Sequence, residues 1–233
     1  MVIITGATGA IGRELCRLFA AAGENVAVCC HTRREEAAML AATLAETYGV
    51  RAVWHEVDLA SPASIREAFG YFAAALGHAD YLVNNAAVSL VKPVSMMTDE
   101  EWERVIAVDL GAAYYTCRAV LDEMYHRGGS IVNVSSMWGQ LGASCEVAYS
   151  AAKAGLEGFT KALAEEYDGS VRVNAVALGY VDTPMNAHLS AEEKAQFFAD
   201  NPSMRCLTPQ EAAEAVYAVA TSGETGRIVR LGW

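Results

Sequence analysis

Long hydrophobic runs are missing from this 233-residue sequence, in which no apolar segment reaches the ~20 residues of a membrane-spanning helix. Basic residues are also scarce, because 17 Lys and Arg stand against 28 Asp and Glu and give a net charge of −11. Such an acidic chain is repelled by nucleic acids and by anionic membrane surfaces. We therefore expect neither as a partner.

Paired cysteines at metal-binding or redox spacing are missing as well. The six cysteines are scattered without a Cys-x-x-Cys pattern. We therefore predict no metal site, and we interpret the cysteines as reduced thiols of a cytoplasmic protein. Residues 1–5 have the character of a strand, and they lack the basic segment and cleavage site of a secretion signal.

The sequence instead contains a regular alternation of apolar strand-like runs and helical segments. The predicted strands cover residues 2–5, 25–30, 51–57, 80–84, 129–135, 171–177 and 227–231. The predicted helices cover residues 10–22, 34–48, 62–76, 99–126, 147–167 and 209–221. This alternation is typical of a parallel sheet covered by helices on both faces. The length fits one domain over residues 1–233 with a seven-stranded, mostly parallel, doubly wound sheet.

Residues 184–206 interrupt the alternation with a polar helical segment after the sixth strand. In a doubly wound sheet, ligands bind at the carboxyl ends of the strands. We therefore interpret this segment as a lid over the substrate. Helix starts are predicted at Thr98 and Thr208, because both have the spacing of a capping box.

A glycine-rich segment, Thr5-Gly-Ala-Thr-Gly-Ala-Ile-Gly12, joins the first strand to the first helix. Glycines allow the backbone to approach a pyrophosphate, which the amides of a helix N-terminus then bind. The alternative is an ordinary glycine-rich turn, but the strand before it and the helix after it favour a dinucleotide site. The predicted contacts are Gly6, Thr8, Gly9, Ala10, Ile11 and Gly12.

The end of the second strand bears on the choice of cofactor. An NAD site usually has an acidic residue here, which bonds the ribose hydroxyl. The sequence instead reads Cys-Cys-His-Thr-Arg-Arg, so that Arg33 or Arg34, together with His31 and Thr32, would hold a 2′-phosphate. We therefore predict NADPH. The alternative is a solvated basic helix start.

Tyr149 and Lys153 lie four residues apart in a predicted helix and therefore share a face. The pKa of a free tyrosine is about 10, and a neighbouring ammonium group favours the phenolate and lowers that pKa. The pair would act as a proton donor near neutral pH. The hydroxyl of Ser136 would hold a carbonyl oxygen while negative charge develops on it.

Together these motifs resemble those of the short-chain dehydrogenase/reductase family over nearly the whole chain. The resemblance implies a Rossmann-type domain in which a nicotinamide transfers hydride, Tyr149 is the acid, Ser136 orients the carbonyl and Lys153 holds the ribose. It also implies a further set of cofactor contacts. These are Asp58, Leu59, Asn85, Ala86, Ala87, Tyr149, Lys153, Gly179, Val181 and Thr183.

Three positions depart from the pattern of that family. Ala10 replaces the commonest middle glycine of the glycine-rich segment. Leu178 replaces a proline that usually precedes Gly179. Asp109 stands where the family usually has the asparagine of a proton relay, and we retain it as a candidate catalytic residue.

A narrower resemblance lies in the run Trp-Gly-Gln-Leu-Gly-Ala-Ser-Cys-Glu-Val at residues 138–147 and in residues 185–189. These segments are similar to reductases that convert a 5-aminopentanone group on bacterial elongation factor P to 5-aminopentanol. The ammonium of that substrate would pair with Glu146, near Tyr149, and Asp109 is a second candidate. Alternatively, Glu146 is a solvated acid at a helix start.

Other functions remain open. The chain also resembles 3-oxoacyl-[acyl-carrier-protein] reductases, although the acyl carrier protein is acidic and the charge of −11 opposes that encounter. An oxidising dehydrogenase of small alcohols would share the site, but the missing ribose-binding acid disfavours NAD-linked oxidation. A regulator that senses NADPH without catalysis would not need Ser136, Tyr149 and Lys153.

A face of small residues on the predicted helix 147–167 bears on assembly. Its members are Ala151, Ala152, Ala154, Gly155 and Gly158. Relatives in the family commonly form tetramers through this helix. We therefore expect a homo-oligomer, a tetramer or a dimer, and the alternative is close packing of the helix on its own sheet.

Overall fold

A computed structural model describes residues 1–187 and 189–233, so that His188 of the predicted lid lies outside the described residues. The strands are β1 Val2–Ile4, β2 Val26–Cys30, β3 Ala52–Glu56, β4 Tyr81–Asn84, β5 Ser130–Ser136, β6 Arg172–Leu178 and β7 Ile228–Leu231. The helices are α1 Ala10–Ala21, α2 Arg34–Tyr48, α3 Pro62–Leu76, α4 Asp99–Ile106, α5 Ala112–Arg127, α6 Trp138–Leu141, α7 Val147–Tyr167, α8 Ala191–Asp200 and α9 Pro209–Thr221. None of the described helices is both long and apolar enough to span a membrane.

The strands form one parallel sheet in the order β3-β2-β1-β4-β5-β6-β7. Successive side chains of a strand point to opposite faces. Val2 and Ile4 therefore pack against one layer, with Phe19 of α1, whereas Ile3 packs against the other layer, with Phe72 of α3. Helices α1, α2 and α9 cover the first face, and α3, α5 and α7 cover the second. The predicted single-domain Rossmann-type fold is confirmed.

This topology fixes where a ligand can bind. β1 lies between β2 and β4, so the chain leaves β1 towards one edge of the sheet and later returns to its other side. A crevice opens at such a reversal, beyond the carboxyl ends of the strands. The glycine-rich segment follows β1, the basic segment follows β2, and Ser136 ends β5. All three therefore meet at the same edge.

The predicted helix 99–126 differs from the structure in one respect. A π-helical turn, Ala107–Gly111, separates α4 from α5. Such turns insert an extra residue into a helix and often occur at functional sites. Asp109 lies in this turn and is buried.

The ends of several helices follow from their sequences. The capping boxes at Thr98 and Thr208 are both present, as predicted. A third capping box, which we did not predict, begins α8 at Ser190, within the segment interpreted as a lid. The short helix α6 was also not predicted. All six cysteines, which lie in the described part of the chain, are free thiols.

Candidate active site

A cavity of about 790 Å³ lies beyond the carboxyl ends of the strands and brings together most of the predicted site residues. The predicted residues that line it are Gly6, Thr8, Gly9, Ala10, Ile11, His31, Thr32, Arg33, Asp58, Leu59, Asn85, Ala86, Ala87, Ser136, Glu146, Tyr149, Lys153, Gly179, Val181 and Thr183. Gly12, Arg34 and Asp109 do not line it.

The glycine-rich segment has the geometry that a diphosphate cradle requires. Gly6 has a φ of +62°, and a Cβ atom there would lie 2.9 Å from the Cα of Ala86. Thr5 Oγ1 accepts hydrogen bonds from the backbone amides of Asn85 and Ala86, at 2.9 and 3.0 Å. The turn after β1 is thus held so close to the turn after β4 that position 6 has no room for a side chain. This shape fits a dinucleotide.

Gly12 has a different place from the one predicted for it. It lies beneath the cradle, where a Cβ atom would approach the carbonyl oxygen of Gly6 to 2.2 Å. It therefore permits α1 to pack closely against the turn instead of lining the cavity. The prediction of Gly12 as a direct contact is replaced by a packing role.

The two candidate arginines after β2 have different surroundings. Arg34 forms an ion pair with Glu56 and does not line the cavity. Arg33 lines the cavity, lies 4.0 Å from Glu36 and donates a long hydrogen bond to the carbonyl oxygen of Thr8, at 3.4 Å. The guanidinium of Arg33 is thus held beside the cradle, next to His31. Of the two arginines, Arg33 is the one that lines the cavity.

The Ser, Tyr and Lys side chains meet at the other end of the cavity. Ser136 is the last residue of β5, and its Oγ accepts a hydrogen bond from the amide of Trp138 at 3.2 Å. Lys153 is 2% exposed, and its Nζ donates to the carbonyl oxygen of Val134 at 3.2 Å. That Nζ also lies 5.3 Å from the centroid of the Tyr149 ring. One strand and one helix therefore supply all three groups.

Asp109 contacts this group from behind rather than from the main cavity. Its Oδ1 accepts a hydrogen bond from the amide of Val88 at 2.9 Å, and its Oδ2 lies 3.4 Å from Lys153 Nζ. Burial raises the pKa of Asp109, and the charge of Lys153 opposes that rise. The carboxylate of Asp109 therefore acts on Tyr149 through its charge and contacts Lys153 directly.

The expected lowering of the Tyr149 pKa is wrong. Burial raises the pKa of Tyr149, the charge of Asp109 raises it further, and a hydrogen bond with Ser136 only partly opposes these effects. The main physical reason is the burial of Tyr149, and the ion pair of Lys153 with Asp109 offsets the positive charge that was expected to lower the pKa. Tyr149 is consequently a protonated donor over the neutral range.

Glu146 lies at the start of α7 and lines the cavity. It occupies the N-cap position of α7, but its side chain does not cap that helix. Its Oε1 instead accepts a hydrogen bond from Ser89 Oγ, at 2.7 Å, within the lining of the cavity. Glu146 therefore lies at a helix start, as the alternative interpretation has it, and also lines the cavity.

An aromatic wall beside Tyr149 was not predicted as part of the site. Trp138 and Phe197 line the cavity with ring centroids 6.2 Å apart, and Tyr180 lies 6.1 Å from Phe197. Phe197 belongs to α8, so the segment interpreted as a lid contributes to the wall. The motif around Trp138 was a signal in the sequence, but nothing in the sequence indicated that α8 packs against it.

Comparisons with known proteins agree with this geometry. Residues 1–194 match the family model described as short chain dehydrogenase. A 3-oxoacyl-[acyl-carrier-protein] reductase of Aquifex aeolicus is 37% identical over 234 residues, which cover 98% of this chain and 94% of the relative. A cis-4-hydroxycyclohexanecarboxylate dehydrogenase of Sinomonas cyclohexanicum is 38% identical over 224 residues, which cover 95% and 89%.

The fold is also similar to that of a solved relative. The crystal structure of a 3-oxoacyl-[acyl-carrier protein] reductase from Brucella melitensis superposes with a TM-score of 0.89 at 31% identity, over 99% of this chain and 88% of that one. Family model, relatives and structure agree along nearly the whole length. The chain is therefore a member of the short-chain dehydrogenase/reductase family, whose members are oxidoreductases acting on CH–OH and C=O groups.

Proposed function

We propose that this protein is an NADPH-dependent ketoreductase. The observation that carries the proposal is the convergence of Ser136, Tyr149 and Lys153 at one end of a cavity whose other end holds the glycine cradle and Arg33. A regulator that only sensed NADPH would have no use for the three groups. The free cysteines and the nicotinamide chemistry favour a cytoplasmic location.

The residues of the chain would divide the chemistry between them. NADPH, which the glycine-rich cradle and Arg33 would hold, would supply a hydride for the carbonyl carbon. Ser136 Oγ donates a hydrogen bond to the carbonyl oxygen as charge develops there, and Tyr149 transfers its phenolic proton to that oxygen. Lys153 stabilises the phenolate that remains. The product is the alcohol, and Tyr149 regains a proton from solvent.

The preference for NADPH rests on charge at the ribose end. Arg33 lies beside the cradle, and the neighbouring His31 and Thr32 also line the cavity. A guanidinium group forms charge-assisted hydrogen bonds with phosphate, which favours NADPH over NADH. The segment has no carboxylate at the end of β2, where NAD enzymes of this fold usually have one.

Two carriers of the ketone are each favoured by a specific observation. The names of the similar proteins favour a 3-oxoacyl group on an acyl carrier protein. Glu146, whose carboxylate lines the cavity near Tyr149, favours an aminoketone, such as the 5-aminopentanone group on elongation factor P. A buried or half-buried carboxylate attracts an ammonium group and disfavours a fatty acyl chain.

One experiment separates these alternatives. The purified protein and NADPH are incubated in parallel with elongation factor P that bears the aminopentanone group and with acetoacetyl-acyl carrier protein. A gain of two hydrogens in the intact mass of the elongation factor, with slow NADPH oxidation in the other tube, would support the aminoketone. Fast oxidation with the acyl carrier protein alone would support the 3-oxoacyl group. NADPH binding without turnover on any ketone would contradict the proposed function.

A homo-oligomer is part of the same proposal. Ala151, Ala154 and Gly158 are exposed on one side of α7, close to the exposed Val147. Small residues allow helices of two subunits to approach closely, so a dimer or tetramer would bury this face. Sedimentation at micromolar concentration tests it, because a monomer would contradict the proposal.

A further inference from the structure

A third polar side chain, that of Glu157, follows Tyr149 and Lys153 on the same face of α7. Glu157 comes four residues after Lys153, and residues at this spacing share a helix face. Its side chain points into the protein, and the residue is only 6% exposed. A buried carboxylate is costly unless its oxygens are hydrogen-bonded. Its partners therefore indicate what it is for.

Both oxygens of Glu157 have a partner, and the two partners flank Ser136. Oε1 accepts a hydrogen bond from Ser135 Oγ, and Oε2 accepts one from Gln140 Nε2, each at 2.9 Å. Ser135 is the residue before Ser136, and Gln140 is four residues after it. The carboxylate thus binds the strand end and the following turn at the same time.

The turn between these two contacts is tightly packed. A Cβ atom on Gly139 would lie 2.9 Å from the carbonyl carbon of Lys153, so α6 rests directly on the backbone of α7. The amide of Trp138 donates to Ser136 Oγ. Gln140 Oε1 accepts a hydrogen bond of 2.6 Å from Arg230 of β7, which fixes the amide that faces Glu157. Displacing Gln140 would therefore move the donor that holds the Ser136 hydroxyl.

Side-chain alternation along β5 explains why this arrangement acts on the active site. Both serines border the cavity, but successive side chains of a strand point to opposite faces, and the hydrogen bond of Ser135 Oγ to Glu157 shows that Ser135 points towards α7. Glu157 therefore ties α7, which carries Tyr149 and Lys153, to the strand that carries Ser136. Correct distances between these groups decide how well they act on one carbonyl.

We propose that Glu157 is a positioning residue, which holds Ser136 at its working distance from Tyr149 by binding Ser135 and Gln140 together. This inference rests on the proposed ketoreductase function. It adds a residue outside the cavity, which contacts neither the ketone nor the cofactor. Its effect on the rate passes through Ser136.

The test compares Glu157→Ala with Glu157→Gln during steady-state reduction of the ketone that the wild-type protein turns over. A misplacement of about 1 Å can cost up to about 100-fold in rate, so we expect Glu157→Ala to lower kcat at least about tenfold. The KM for the ketone and the Kd for NADPH should stay within about threefold, since neither is contacted by Glu157. Glu157→Gln retains an acceptor for Ser135 but presents a donor to the amide of Gln140, so its kcat should lie between those of Glu157→Ala and the wild-type protein.

A cycle with Ser136→Ala separates positioning from general loosening of the fold. If Glu157 acts through Ser136, then Glu157→Ala should have little further effect on kcat once Ser136 is absent. Glu165→Ala, an exposed acid on the same helix, should change nothing in either background. The same loss from Glu157→Ala in both backgrounds would overturn the proposal, and so would a parallel loss of NADPH binding.

Two further variants remove the same contacts if Glu157→Ala does not fold. Ser135→Ala and Gln140→Ala each remove one donor to Glu157 and leave Ser136 itself intact. Each should lower kcat while the KM for the ketone and the Kd for NADPH stay within about threefold. If both have wild-type kcat, the inference is wrong. The proposed function is judged separately, because its failure would appear as absence of turnover by the wild-type protein.

Discussion

Tyr149 is the group on which the proposed chemistry depends most directly. Replacing it with Phe removes the hydroxyl that would give its proton to the carbonyl oxygen, while the ring keeps its packing. A positioned acid contributes about 10²–10⁴-fold to a rate, so we expect kcat of Tyr149→Phe to fall by that factor. NADPH binding, measured by fluorescence, should be nearly unchanged. If turnover persisted near the wild-type rate, a different acid would be at work.

The charge of Asp109 predicts a pH dependence that an asparagine, which the family usually has at this position, would not give. Its charge helps to raise the pKa of Tyr149, and its ion pair balances the charge of Lys153. Asp109→Asn removes both effects, so the pKa of Tyr149 should fall. Oxidation of the alcohol product needs the phenolate as base, and its rate–pH profile should therefore move to lower pH.

The measurement is kcat for alcohol oxidation with NADP⁺ as a function of pH. Glu103→Gln, which removes an exposed acid from α4, is the control and should leave the profile in place. A profile that does not move in Asp109→Asn would mean that Asp109 has no electrostatic influence on the proton donor.

Arg33 and Arg34 form a matched pair for testing cofactor choice. Arg33 faces the cavity, whereas Arg34 pairs with Glu56. Loss of a charge-assisted hydrogen bond to phosphate costs roughly 1.5–3 kcal/mol, so Arg33→Ala should weaken NADPH binding roughly 10- to 100-fold. NADH binding should hardly change, and Arg34→Ala should affect neither. Equal weakening of both cofactors by Arg33→Ala would contradict a 2′-phosphate contact.

Helix α1 provides a prediction about packing beneath the cradle. In Gly12→Ala, the new Cβ would lie 2.2 Å from the carbonyl oxygen of Gly6. The backbone of the turn or of α1 would have to shift to relieve this clash. Overpacking costs about 1–3 kcal/mol, so we expect a lower Tm together with weaker NADPH binding.

Gly70→Ala in α3 is the control for that change. A Cβ at Gly70 has nothing within 4 Å, and replacing a helical glycine with alanine stabilises by roughly 0.5–1 kcal/mol. Its Tm should therefore rise while NADPH binding stays the same. If the two alanine variants had similar effects, the close approach at Gly12 would not be what holds α1 in place.

The elements that the sequence predicted well are those specified by local patterns. Alternating apolar runs located the strands, and Thr98 and Thr208 marked helix starts because a capping box needs only residues three apart. The π-helical turn at Asp109 was missed because it arises where α4 and the turn itself pack on α7, and the periodicity of the sequence does not encode it. The buried pair of Asp109 and Lys153 was missed for the same reason.

The candidate site likewise has a part that the sequence predicts and a part that it does not. Its motifs lie at fixed spacings after strands of a sheet whose topology follows from alternation, so their meeting at one edge was predictable. The rise in the pKa of Tyr149 could not be predicted, because it depends on burial and on a carboxylate 40 positions earlier in the chain. The contacts of Glu157 with Ser135 and Gln140 likewise join residues that no local pattern relates.

The charge of the whole molecule predicts how it meets a carrier. With a net charge of −11, the protein repels an acidic acyl carrier protein. Salt screens that repulsion with a Debye length of about 10 Å at 0.1 M. If the ketone is delivered on such a carrier, kcat/KM should rise with added NaCl, because long-range repulsion slows association. An uncharged small ketone should show a flat profile. A fall of kcat/KM with salt for the carrier-borne ketone alone would instead reveal a local basic docking patch that outweighs the net charge.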